Sequence, residues 1–197
     1  MYKAQIIHPL WLRITHGINA LAVVLMVMSG WQIYNASPIF HFNFPEEITL
    51  GGWLGGALLW HFFAMWILMA NGLIYLGLNL ATNRFKHKLF PISIPALLLE
   101  MLAAIKGKLA HTDLSHYNQP QKLAYLFIII DIILLVLSGL AIWKSVQLPL
   151  LRELMGGYDY ARIIHFVAMS ALVAVVAVHL IMMALVPRTL LLMIRGR

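Results

Sequence analysis

The chain has 197 residues, 62% of them hydrophobic and only 11% charged, a composition that excludes a water-soluble globule because the apolar excess must face lipid. Its net charge of +7 does not signal nucleic-acid binding, since the basic residues gather between apolar stretches instead of forming a face. With no cysteine, a disulfide, an iron-sulfur cluster of the chain's own and a covalently attached c-type haem are all excluded.

In chain order, the first apolar stretch covers residues 12–34, and Arg13 and His16 stand at its start. It is read as a retained span, because no persuasive small-residue cleavage site follows Gly30. The second covers 52–80 and carries His61; the connection before it holds His41, Pro38, Pro45, Glu46 and Glu47. A long basic connection follows, with Arg84, Lys86, Lys88, Lys106 and Lys108, and with residues 96–108 expected to lie on the membrane as an interfacial helix. The third span, 122–143, contains Asp131, whose expected role is a hydrogen bond to a neighbouring helix. The fourth, 162–186, contains His165 and His179. Each is long enough to cross a bilayer, which takes about 20 residues. The predicted fold is therefore an all-α, four-helix up-down bundle, a single integral membrane domain over 1–197.

Eleven of the 14 lysines and arginines fall on one side of these spans, leaving Lys144, Arg152 and Arg162 on the other. The positive-inside rule then predicts that both termini are cytoplasmic. Trp11, Trp31, Trp53 and Trp143 fall near the proposed span ends, where indole rings favour the interface. Met28-Ser29-Gly30-Trp31 is weakly echoed by Leu137-Ser138-Gly139-Leu140. A hairpin duplication and small residues at helix contacts explain the echo equally well.

Ionisable groups inside a membrane are costly, so four intramembrane histidines point to a cofactor, a proton path or buried partners. His165 and His179 are fourteen residues apart, which returns them to within roughly 40° of one direction and separates them by about 21 Å along a helix. One helix thus serves two levels. Depth selects the partners: His16 and His179 on the cytoplasmic side, His61 and His165 on the periplasmic side. The third span has no histidine and acts as a wall.

The opening from His8 to His16 (HPLWLRITH), Trp60-His61, Tyr117-Asn118 with Gln121-Lys122, Ser138-Gly139-Leu140-Ala141-Ile142-Trp143, and Arg162-Ile163-Ile164-His165 with His179 together resemble the bacterial cytochrome b561 / nickel-iron hydrogenase cytochrome b superfamily. That group includes formate dehydrogenase gamma subunits and thiosulfate-reductase-type cytochrome b subunits. The resemblance implies that the four histidines hold two haems b, with His16 and His179 on one iron and His61 and His165 on the other. It also implies a quinone site at Asn118 and Gln121, although Pro120 stands where the family has glycine, and a helix N-cap accounts for the same residues. Arg13 and Arg162 each lie three residues before a histidine, as propionate contacts or as ordinary snorkelling arginines.

The expected function is that of a multi-pass subunit of the bacterial cytoplasmic membrane, in contact with lipid. It would carry electrons between quinone or quinol and a periplasmic redox partner, a molybdopterin oxidoreductase before a hydrogenase or small cytochrome. A self-contained superoxide:quinone oxidoreductase is the alternative within redox chemistry, and a haem-free anchor or transporter the alternative outside it. The sequence leaves a homo-oligomer open.

Overall fold

The computed structural model describes residues 8–105 and 118–196. Lys3, Lys106, Lys108, His111, His116, Tyr117 and Arg197 lie outside them. The described residues are helical, with no strand among them: α1 (Leu10–Ala36), α2 (Leu54–Ala81), α3 (Arg84–Leu89), α4 (Ile94–Ile105), α5 (Gln119–Trp143), α6 (Pro149–Leu154), α7 (Tyr158–Leu185) and α8 (Pro187–Arg195). Of these, α1, α2, α5 and α7 are long and apolar enough to span a membrane. The chain divides into two compact units, Met1–Leu78 with Leu190–Arg197, and Asn79–Thr189.

Local chemistry sets the helix ends. At the start of α5 the Asn118 side chain accepts from the Gln121 amide at 2.9 Å, and the Gln121 side chain accepts from the Asn118 amide at 3.2 Å. This capping box starts α5 at Gln119, three residues ahead of the apolar run, and Pro120 fits the first turn because it needs no amide partner there. Likewise α7 begins at Tyr158, directly after Gly156 and Gly157 at φ +83° and +97°. Within the interfacial stretch, α4 runs Ile94–Ile105, and the remainder of the predicted 96–108 helix falls outside the described residues.

In the first unit α1 and α2 form an antiparallel hairpin. Ser29, late in α1, meets His61, early in α2, and Thr15, early in α1, meets Asn71, late in α2. The connection between them folds back on α1: Asn35 exchanges two hydrogen bonds with the Phe44 backbone, at 2.8 and 2.9 Å, and Phe44 stacks on Trp31. Gly51 closes this turn at φ +113°, and a Cβ there would lie 2.4 Å from the Ala57 nitrogen, so only glycine fits. In the second unit α5 and α7 form the corresponding antiparallel hairpin, with Ser138 against His165.

Small buried residues let the helices approach: Ala22, Ala57 and Ala64 in the first unit, Ala141, Ala161 and Ala168 in the second. Large apolar side chains such as Leu59, Phe63, Trp66 and Leu73 point outward, the inverse of a soluble bundle and the arrangement that lipid favours.

Candidate functional site

His61 is positioned by α1. The Ser29 hydroxyl back-bonds to the Leu25 carbonyl at 2.6 Å, which uses its single proton, so the lone pair it presents 3.1 Å from His61 Nδ1 accepts. The Met26 carbonyl, which can only accept, lies 3.2 Å from the same nitrogen. Both contacts therefore require Nδ1–H, which leaves the Nε2 lone pair to bind a metal.

His165 is held by the same device. Ser138 back-bonds to the Leu134 carbonyl at 2.7 Å and presents its lone pair 3.0 Å from His165 Nδ1. The glycine after each serine lies against the imidazole: a Cβ on Gly139 would stand 3.3 Å from His165 Cε1, and one on Gly30 would stand 3.6 Å from His61 Cε1. The first is a tight contact and the second ordinary packing. The weak echo between spans one and three is thus, in three dimensions, a repeated histidine seat.

A second histidine level exists within each unit. On α1, His16 precedes Ser29 by thirteen residues of unbroken helix, so it stands about 20 Å from the level of His61. On α7, His165 and His179 share one unbroken helix fourteen residues apart, about 21 Å along the axis. His61 and His165 are half-buried, whereas His16 and His179 are exposed on their helices. His16 also lies within roughly 40° of the direction of Gly30, the position against which the His61 ring rests. Near this lower level Asn71 donates to the Thr15 carbonyl at 2.7 Å and to Asn19 Oδ1 at 2.6 Å, tying α2 to the turn that carries His16.

The remaining predicted site residues have structural engagements. Arg13 reaches the C-terminal end of α8, donating through Nε to the Met193 carbonyl at 2.8 Å and through its guanidinium to the Ile194 carbonyl. A cation at a helix C-terminus is favoured there by the unpaired carbonyls. Arg162 precedes His165 by three residues on α7. Asn118 and Gln121 are brought together as the capping box. Asp131 is buried, and its Oδ2 makes no hydrogen bond among the described residues.

Sequence reasoning passed over Glu100, whose carboxylate accepts from the Gln119 amide at 2.7 Å at the N-terminus of α5. The available signal was its position as a lone charge in the apolar helix α4. Asn71 and Asn19 were passed over as well, although polar amides inside apolar spans are a signal of the same kind.

The family model for prokaryotic cytochrome b561 matches residues 7–196. The chain belongs to the prokaryotic cytochrome b561 family. It is also 64% identical over 190 residues, 96% of each chain, to a protein of Azospira oryzae that carries the name "Putative protein-methionine-sulfoxide reductase subunit YedZ1". No solved structure matches. Membership makes this a multi-pass haem protein of electron transport in the bacterial inner membrane, which removes the support for a haem-free anchor or transporter. The donor set agrees with haem b: the Met26 carbonyl fixes Nδ1–H on His61, and the back-bonded Ser138 hydroxyl favours the same tautomer on His165, so Nε2 is the nitrogen each offers to iron.

Proposed function

We propose that this b561-family chain is a di-haem membrane subunit that carries electrons from quinol to a periplasmic protein-methionine-sulfoxide reductase of the molybdenum-cofactor class. The relative's name supplies the reductase, and its high identity along the whole chain supports the transfer. The observation that carries the di-haem reading is the presence in each hairpin of two histidine levels about 20 Å apart, near the spacing that one cofactor per leaflet requires.

In this reading His61 and His165 hold the periplasmic-side haem and His16 and His179 the cytoplasmic-side haem, with both termini cytoplasmic. Haem b supplies reversible one-electron chemistry when bound. The chain fixes the tautomer of its ligands, sets their separation and excludes water with apolar spans. Arg162 and Arg13 are the candidate propionate contacts, and Arg13 would first have to leave the α8 carbonyls. Quinone would bind near Asn118 and Gln121, where Glu100 and Lys122 add charge around the start of α5.

The test is reduction of the purified chain by a quinol, followed by addition of the reductase with protein-bound methionine sulfoxide. The α band is expected to rise with quinol and to fall only when reductase and sulfoxide are both present. A chain that quinol leaves oxidised, or that sulfoxide reoxidises without the reductase, contradicts the proposal. Rapid quinone reduction by superoxide without a partner would favour the self-contained enzyme instead.

A further inference from the structure

Ser29 and Ser138 are fully buried, and neither needs a histidine to satisfy its hydroxyl proton, since each already donates to a carbonyl in its own helix. A serine used only for close helix packing would serve equally well as alanine. What alanine would not supply is an oxygen lone pair, and in both hairpins that lone pair meets Nδ1 of the histidine on the facing helix, at 3.1 and 3.0 Å. The back-bond also restrains the hydroxyl, because a side chain tied to its own preceding turn has little freedom to rotate away. The acceptor is therefore present before any metal binds.

We propose that Ser29 and Ser138 are a matched pair of positioning residues that act through His61 and His165, fixing the Nδ1–H tautomer and ring direction and so setting how strongly Nε2 donates to iron. This rests on the reading that His61 and His165 are haem ligands. A histidine whose Nδ1–H is accepted by oxygen is a stronger donor, and stronger donation favours ferric over ferrous iron. Removal of the acceptor should therefore raise the haem midpoint potential and weaken haem retention by roughly 10- to 100-fold, the usual range for such outer partners of metal ligands. His61 keeps a further acceptor in the Met26 carbonyl, so Ser29→Ala is expected to stay near the lower end of that range.

The experiment is potentiometric titration with low-temperature electron paramagnetic resonance on full-length Ser29→Ala, Ser138→Ala and the double variant. Ser29→Thr and Ser138→Thr, which restore a hydroxyl, and His61→Ala complete the set. Alanine is smaller than serine and introduces no clash, and an undisturbed second haem signal reports an intact fold. The expected result is one low-spin signal shifted and its potential raised in the alanine variants, with the shift largest in the double variant. Serine-to-alanine variants with unaltered potentials, signals and haem retention would overturn the positioning role even if His61→Ala loses a haem. If His61→Ala keeps both haems, the ligand reading itself fails, which is a separate result.

Discussion

Asn71 and Asn19 join α2 to α1 at 2.6 Å, and the other amide proton of Asn71 goes to the Thr15 carbonyl at 2.7 Å, beside His16. Asn71→Ala removes both bonds while leaving Asn19 in place. The expected loss is about 1 kcal/mol, between the modest worth of side-chain bonds in membrane helices and the larger cost of a buried orphan. Unfolding in graded denaturing detergent measures it. Loosening of the turn that carries His16 should also broaden the cytoplasmic-side haem signal and leave the periplasmic-side signal unchanged.

The two glycines beside the histidine seats make an unequal pair. Gly139→Ala places a Cβ 3.3 Å from His165 Cε1, whereas Gly30→Ala places one 3.6 Å from His61 Cε1. Gly139→Ala is therefore expected to shift the Soret and low-spin signals visibly, and Gly30→Ala to change them little. Absorbance spectra of the two variants at equal haem loading decide this, and a larger effect at Gly30 would count against the seat geometry.

At the start of α5, helix capping and quinone binding separate by substitution. Asn118→Ala removes the cap and is expected to cost about 1 kcal/mol, whereas Asn118→Ser keeps a capping oxygen and should recover most of it. If the Asn118 amide also binds quinone, Asn118→Ser should raise the KM for quinol several-fold at near-native stability. An unchanged KM would leave the residue as a cap alone.

Much of this was legible beforehand because membrane spans are read from length and apolarity, and because four intramembrane histidines stand out against apolar neighbours. The Ser-Gly echo was visible too, but its meaning was not: sequence shows that two small residues recur, and only the facing helix shows that each receives a ring nitrogen. Arg13 illustrates the opposite case. Its spacing from His16 suggested a propionate contact, while its contact with α8 depends on a segment nearly two hundred residues along the chain, beyond the reach of local spacing.

Arg13→Ala tests that contact directly. It should speed hydrogen exchange in α8 and expose the C-terminal segment to protease, with little loss of haem. Arg162→Ala should do the reverse, lowering haem retention without affecting α8. If Arg13→Ala loses haem while α8 stays protected, the propionate role for Arg13 is the better one.

The di-haem assignment is tested most directly by counting haem b per chain while each of His16, His61, His165 and His179 is replaced by alanine in turn. The expected result is two haems in the native chain, with His61→Ala and His165→Ala each removing the same one and His16→Ala and His179→Ala the other. A native chain with a single haem, or a His61→Ala variant that loses a different haem from His165→Ala, would contradict it.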